Sequence, residues 1–527
     1  MVARLTQSNW RSWRAEILVA LGLCLSFSIF FYWQHPPASL LLLVLAAALA
    51  WIRLEIAVAF LPVTFPYYSY LQPLRSSGSP AFYIGELGIF ICLAVALLRT
   101  ALIAADRNAT KVWLLGLWQQ ARFFLLPGLL LLAGASLALL ASPDQHNSLR
   151  AYREEIIEPL LYFLLILRYL RTPTDLVRTM VALVLSVLIV SFTAIIQGVF
   201  HLTQFLALLD TSGVGFRTVG PYGSPNNLGM ALDRAMPLLL ALALTHILPR
   251  ATAATGPQRA PWRDPLRWAC LLALIPMAWA LYWSHSRGAE VAMLAVVAVF
   301  FVIELRRWLA VVAVLILGAL GTGLFWSRIY NFLNAGNSGH AGSVSERFTY
   351  WKAALLIIRD HFFLGTGPDS FGIQYNPQSP NPPTSPDSYA LKALDGQPFP
   401  STYFPAISHP HNFFFDFWIS TGLLGLAALF WLLGVFATTL VRLYRLSARL
   451  RQGNLYQRFL LGIAGCMIAS IVHGSVDNSY FLPDLAMYFW LFMGSLLVVG
   501  GIVRREQTKP EQVAAPQAID ASLDASV

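Results

Sequence analysis

Two histidines one residue apart, His409 and His411, stand where a long polar interval gives way to an apolar aromatic run, HPHNFFFDFWISTGLLG from His409 to Gly425. An imidazole with an ordinary pKa of about 6.5 gives or takes a proton near neutral pH, so His411 could act as a general base. Asn412 suits the N-cap of a helix starting at Phe413, because its side-chain carbonyl can accept from a first-turn backbone N–H. His411 then sits at a helix mouth. The alternative for both histidines is an interfacial or capping side chain. The His-x-His spacing also invites a metal, but a metal needs a third or fourth ligand and Asp416 is the only carboxylate nearby in sequence, so no metal is expected.

Three arginines join them: Arg217 in GFRTVG, Arg287 in SHSRGAE and Arg347 in SERFTYW. A guanidinium offers phosphate oxygens a fixed fork and stays charged at any relevant pH, so three facing one cavity would suit a pyrophosphate. Singly, each also reads as a snorkelling or salt-bridged interfacial arginine. His285 could line the same cavity or serve the structure alone. Asp477, with Asn478, could orient His411, bind sugar hydroxyls or cap a helix.

The elements that must carry these residues follow from composition. Of 527 residues, 57% are hydrophobic and 12% charged, against roughly 25% charged in soluble domains. An all-α polytopic membrane protein is expected. The net charge of +10 could suggest nucleic acid, but Lys and Arg fall mostly in short loops, where they read as a topology signal. Cys24, Cys92, Cys270 and Cys466 lie in apolar runs without CxxC or metal spacing, which implies neither a disulfide framework nor a zinc site. The basic N-terminus before Ile17–Trp33 reads as a retained first span rather than a cleaved signal.

With about 20 apolar residues needed per crossing, about 12–14 spans are expected. They lie near 16–34, 38–52, 54–70, 82–104, 122–141, 156–170, 178–200, 227–249, 266–283, 288–305, 308–326, 413–441, 457–475 and 483–503. Arg53 and Glu55 leave open whether the second and third are two short spans or one tilted helix. Basic clusters at Arg53, Arg107 and Lys111, Arg168 and Arg171, Arg250 to Arg267, Arg306 and Arg307, and Arg442 to Arg458 then share one side, as the positive-inside rule requires. Both termini are expected to be cytoplasmic. Residues 1–505 form one membrane domain and 506–527 a disordered cytoplasmic tail.

His409, His411, the three arginines, His285 and Asp477 all fall on the opposite, exported face. Its largest loop, 327–412, contains SERFTYWKAALLIIRDHFFLG from Ser345 to Gly365, expected as an amphipathic helix lying against the membrane. A turn at Thr366–Gly367 follows, without the Lys-Ser/Thr of a phosphate loop. The Pro-, Ser- and Asn-rich stretch from Asn376 to Pro405 reads as a mobile flap or an unstructured insertion. No DxD motif occurs on this face, which disfavours a metal-dependent sugar-diphosphate transferase.

His411-Asn412, nine residues, then Gly422-Leu-Leu-Gly425 resembles the His-(Asn/Ser/Gln)-x9-Gly-x-x-Gly motif of the O-antigen ligase and polymerase superfamily. FRTVGPYGSPNNLGMAL from Phe216, SRGAEVAMLAVV from Ser286 and RFTYWKAALLIIRDHFFLGTGPDSFG from Arg347 resemble the same family, so the likeness covers about 216 to 425. The resemblance implies a GT-C-type membrane glycosyltransferase that works on the exported face without metal, nucleotide or other cofactor. Its donor would be a glycan on undecaprenyl diphosphate, and its acceptor a hydroxyl of a lipid A core, a growing glycan or a protein. His411 would be the general base, and Arg287, Arg347 and Arg217 would hold the diphosphate, with Asn412, His409, His285 and Asp477 in support. Inversion at the anomeric carbon is the simpler outcome of one base acting opposite the leaving group. Extra spans and the 376–405 insertion depart from a compact ligase and leave the acceptor open. Ligase-like transfer, repeat-unit polymerisation and, from another class, a transporter or flippase are the functions to separate. A transporter should show internal repeats and polar groups on broken helices near mid-membrane.

Overall fold

The computed structural model describes residues 16–23, 25–26, 36–68, 72–73, 81–103, 107–201, 208–210, 215–244, 264–304, 343–378, 381, 385–395, 407–450 and 453–508. Within them the protein is an all-α polytopic membrane protein, with two short antiparallel strand pairs, Gln72–Pro73 with Ala81–Phe82 and Leu208–Asp210 with Gly215–Arg217. Among the described residues eight helices are long and apolar enough to cross a membrane: Ile84–Leu102, Ala121–Leu140, Pro173–Phe200, Pro225–Leu244, Pro265–Ser284, Phe413–Ser447, Gly453–Gly474 and Pro483–Gln507. A ninth arises if Leu41–Ile52 and Leu54–Val63, bent by 116° at Arg53, count as one broken span. Arg53 there pairs with Glu55 and Glu16, which explains how a charge can mark the bend. The stretch near 156–170 forms a shorter helix, Glu158–Tyr169, and 288–305 forms Arg287–Glu304, which has Arg287, Glu290 and Glu304 within it. The span expected at 308–326 and the tail beyond 508 lie outside the described residues.

The bundle is built around Pro483–Gln507, whose membrane-crossing window is 94% buried. A helix apolar on every side must be enclosed on every side. The neighbours that enclose it are Glu158–Tyr169, Phe413–Ser447, Gly453–Gly474 and Pro173–Phe200. Its polar tips find partners: Trp490 Nε1 donates to Tyr480 Oη at 3.2 Å, and the Tyr488 and Ser186 hydroxyls lie 3.3 Å apart.

The amphipathic segment forms the helix Ser343–Asp360, but its apolar face is not turned only to lipid. Tyr350, Ala353, Ala354, Ile357 and Ile358 are buried against Phe371, Tyr375, Tyr389 and Ile419. Apart from Ile419 the partners come from two small helices, Phe371–Tyr375 and Tyr389–Leu394, so the insertion is folded where it is described. The structure thus corrects the reading of the insertion, since Ser385–Asp395 is part of a small core, and adds that the buried face of the helix packs on its own loop. Phe348, Leu355 and Phe363 remain exposed on the other side.

Phe413–Ser447 is longer than the span expected and is interrupted at Gly422, with φ 67° and ψ −172°. That region is open only to glycine. The break admits the turn after the amphipathic helix: Leu423 N–H donates to the Phe363 carbonyl at 3.1 Å and Thr366 N–H to the Ile419 carbonyl at 2.7 Å. A Cβ on Gly422 would lie 2.5 Å from the Phe363 carbonyl oxygen. Three residues on, Gly425 lies where a Cβ on Gly134 would come within 2.7 Å of its backbone nitrogen, so this is where Phe413–Ser447 and Arg107–Leu140 pack backbone to backbone. Gly434, in the same helix, faces open space. Gly422→Ala should therefore lower stability by about 1–3 kcal/mol, while Gly434→Ala should be neutral or stabilising by about 0.5–1 kcal/mol. Thermal melts of the two purified variants in one detergent check this, and equal melting points would refute the role given to Gly422.

Candidate functional site

The site is organised on the turn between the last two spans. Asn478 shapes that turn: its side-chain oxygen accepts from the Tyr480 and Phe481 N–H groups at 3.1 and 2.9 Å, and its amide donates to the Phe481 carbonyl at 2.8 Å. The preceding residue, Asp477, is thereby fixed with its side chain 2% exposed. A buried carboxylate is costly unless several donors reach it.

Donors reach Asp477 from three other segments and from its own turn. His411 Nδ1 lies 2.8 Å from Oδ1 and His409 Nε2 3.5 Å from the same oxygen. Arg347, on the amphipathic helix, lies 3.5 Å from Oδ2, and Asn226 donates to Oδ2 at 2.7 Å. The Asn478 N–H adds 2.9 Å to Oδ1. Asn226 is the second residue of the helix Pro225–Leu232, which Ser224 caps. Its own carbonyl accepts from Ser286 Oγ at 3.3 Å, which brings in the segment that leads into Arg287.

His411 is presented as its sequence context foretold. Asn412 Oδ1 accepts from the Phe414 and Phe415 N–H groups at 3.0 and 3.1 Å, and its amide donates to the Ser475 carbonyl at 3.0 Å. The cap thus also ties His411 to the segment carrying Asp477. His411 itself has φ 50°, its carbonyl accepts from Trp351 Nε1 at 3.2 Å, and its ring lies 5.8 Å from that of Tyr350. The amphipathic helix therefore braces His411 as well as supplying Arg347.

The remaining expected residues fall around the 284–287 turn. Arg217 donates through Nε to the Ser284 carbonyl at 2.9 Å and through Nη2 to the His285 carbonyl at 3.3 Å, so two of its donors hold the backbone of this turn. His285, with φ 50°, closes the helix Pro265–Ser284, and its ring lies 5.8 Å from that of Tyr282. Arg287 begins the next helix with Nε 3.8 Å from Glu290. Gly288 follows because a Cβ there would come within 2.3 Å of the His473 ring, which is fixed at 2.7 Å by Asp233.

Sequence reasoning did not single out Asn226, His473 or Asp233. The SPNN string is a readable helix start, but nothing local shows that its first Asn reaches a carboxylate 251 positions away. The third group beside the two histidines is Asp477, not the Asp416 that proximity in sequence had suggested. Ligating atoms of His409, His411 and Asp477 lie within 4.8 Å of one another, a cluster that could hold a metal. The 2.8 Å His411–Asp477 separation is a hydrogen bond, shorter than the roughly 3.3 Å between neighbouring ligands around a tetrahedral zinc. With the Arg347 guanidinium on the other oxygen, the arrangement favours a hydrogen-bonded dyad over cation binding.

Burial works against the charge of Asp477, but His411, His409 and Arg347 outweigh it and hold the carboxyl well below its usual range. An ionised carboxylate only accepts, so His411 Nδ1 carries the proton and Nε2 keeps its lone pair. Burial pushes His411 below its ordinary pKa, opposed by Asp477 and aided by the charges of His409 and Arg347. Burial also pushes His409 down, but Asp477, Asp416 and Asp369 raise it further, and the net shift is upward. One imidazole is thus kept neutral and the other protonated over a wider pH range, the separation that marks a base and its cationic neighbour. In an NMR titration of histidine-labelled protein, His411 should titrate below and His409 above the ordinary pKa of about 6.5. Asp477→Asn removes a contribution that raises both and should move both downward, and an upward move of either would refute the assignment.

No curated protein matches the chain. Residues 272–430 match the model of the O-Antigen ligase family, the family that the His411 motif resembles, and the matched stretch takes in Arg287, Arg347, His409 and His411.

Proposed function

We propose that this protein is a membrane glycosyltransferase of O-antigen ligase type, which transfers a glycan from undecaprenyl diphosphate to an acceptor hydroxyl on the exported face of the inner membrane. The observation that carries the reading is the His411–Asp477 hydrogen bond of 2.8 Å, with Arg347 on the other carboxylate oxygen. It supports a neutral imidazole of fixed tautomer beside a cation suited to phosphate. The basic-loop pattern of the sequence supports the exported face and cytoplasmic termini, and the family match supports the reaction class.

In this mechanism His411 Nε2 takes the proton of the acceptor hydroxyl as its oxygen attacks the anomeric carbon. The bond from that carbon to the diphosphate oxygen breaks with its electron pair going to the leaving group. Arg287 and Arg347 bind the diphosphate as its charge develops, while Arg217 holds the turn that presents Arg287 and adds its charge. Asp477 stabilises the imidazolium, and His409 adds positive charge beside it. Attack opposite the leaving group inverts the anomeric centre, and no step calls on a metal.

The break at Asp233 to Ala235 inside Pro225–Leu244 has a feature expected of transporters, polar groups on a broken helix. Asp233 is bonded to His473, however, and Arg234 donates to the Ser479 carbonyl and hydroxyl at 3.0 Å, which ties the helices together. Transfer remains the reading the site supports best. Ligase and polymerase differ in acceptor and product length, which mass spectrometry of the glycan product separates.

Full-length protein mixed with a polyprenyl-diphosphate glycan and candidate acceptors should release polyprenyl diphosphate. His411→Ala should slow release about 10²- to 10⁴-fold, and Arg287→Ala or Arg347→Ala about 10²- to 10³-fold, with membrane insertion intact. EDTA should leave the rate unchanged. Unaltered release by His411→Ala would sink the mechanism.

A further inference from the structure

Beside His409 the structure contains a second feature, a cleft of about 150 Å³ lined by Arg150, Glu154, Glu155, Asp369, His409 and Asp416. Its composition is opposite to that of the arginine side, with four carboxyl groups against one guanidinium and one imidazole. Arg150 is already engaged, with Nε 3.1 Å from Glu154, which also accepts from Arg153 at 2.9 Å. Glu155 is 7% exposed and Asp416 3% exposed. Among the described residues no donor reaches Glu155 Oε2 or Asp416 Oδ2, although Asp416 Oδ1 accepts from Ser420 at 3.3 Å. Such buried, uncompensated acceptors are expensive to keep and point to a ligand rich in donors.

The cleft is assembled for this purpose from distant parts of the chain. Glu154 and Glu155 lie on a π-helical turn, Arg153–Ile157, a distortion common at functional sites. Asp369 is brought over them by the TGPDS turn, whose Pro368 carbonyl accepts from Ser148 Oγ at 2.6 Å. The same turn bonds to the helix break below His411 through Thr366. A single metal ion does not fit: among the described residues these carboxylates do not form a group of three with ligand atoms within 4.8 Å of one another. The other walls include Tyr68 and Phe481, flat apolar surfaces of the kind on which a sugar ring stacks.

We infer that this cleft is the acceptor subsite, and that it takes a phosphate-free sugar, neutral or amine-bearing, whose hydroxyl and ammonium groups donate to Glu155, Asp416 and Asp369. The inference rests on the glycosyl-transfer reading of the His411 site. It divides the two substrates by charge: the donor diphosphate goes to the arginines and the acceptor to the carboxylates, with His409 and His411 at the boundary. A phosphorylated or uronic-acid acceptor is rejected by the same carboxylates.

The test uses full-length protein in detergent and three probes: a neutral glucose disaccharide, a glucosamine disaccharide and glucose 6-phosphate. Binding is read by saturation-transfer NMR. The first two should bind and the third should not. Glu155→Gln with Asp416→Asn should weaken glucosamine disaccharide binding about tenfold. Asp369→Asn, at an exposed position, should weaken it in the same direction if the double variant fails to fold. His411→Ala should keep binding while losing polyprenyl diphosphate release, which separates failure of the subsite from failure of the transfer reading. Glucose 6-phosphate binding as well as the neutral sugar, or undiminished glucosamine disaccharide binding by the folded carboxylate variants, would overturn the inference.

Discussion

A single buried carboxylate holds the site together. Asp477 accepts from, or faces, groups on the 409–412 segment, the amphipathic helix, the start of Pro225–Leu232 and its own turn. Burying a carboxylate without partners costs far more than any one of these bonds returns, and removing one partner of a buried pair typically costs 3–5 kcal/mol. Each segment therefore stabilises the position of the others through one shared anion. Because the anion remains ionised, it also dictates which nitrogen of His411 bears the proton. The fold's solution to a desolvation problem is at the same time its way of preparing an imidazole.

That arrangement depends on a backbone irregularity some distance away. The amphipathic helix can bring Arg347 and Trp351 to His411 only if its C-terminal turn docks beside the helix that His411 precedes. Gly422 makes the docking possible by leaving helical geometry and exposing the Ile419 carbonyl and the Leu423 N–H to the 363–366 backbone. One turn later, Gly134 permits the close approach of Arg107–Leu140 to the backbone of Gly425, where a Cβ on Gly425 itself would meet the Thr421 side chain of its own helix. The two glycines of the motif thus act on different neighbours: the first receives a loop and the second clears a side chain of its own helix beside Gly134. Their spacing from His411 is set by the distance between the helix mouth and the place where the loop crosses it.

Local features were legible in the sequence because local physics determines them. Asn412 caps because a short polar side chain before an aromatic run has little else to bond, and most apolar spans declare themselves by length. The amphipathic helix was found, but its packing partner was not, since the apolar face of Ser343–Asp360 is satisfied by an insertion that looked too polar to fold. The His411–Asp477 pair joins residues 66 apart and the Asn226–Asp477 pair residues 251 apart. No periodicity encodes such separations. Arg217 shows a further limit. Nothing local tells that its Nε and Nη2 reach the carbonyls that end Pro265–Ser284, a role any strong donor at a helix C-terminus can take.

The two histidines, equal by spacing, become unequal through what lies behind each. His411 has Arg347 and a protonated neighbour beside it, which favour its neutral form, whereas His409 faces Asp477, Asp416 and Asp369, which favour its charged form. On the proposed reading this asymmetry matters most during transfer, when a diphosphate leaves on the arginine side as a hydroxyl loses its proton on the carboxylate side. Negative charge leaves the acceptor oxygen and accumulates on the departing phosphates, and positive charge appears on His411 between them. Guanidiniums fixed on the side to which the negative charge moves are already oriented to favour that displacement, because fixed charges need no reorganisation as the reaction proceeds. Asp477, placed at the boundary and bonded to both sides, keeps the imidazolium from being repelled by the arginines that the leaving group requires.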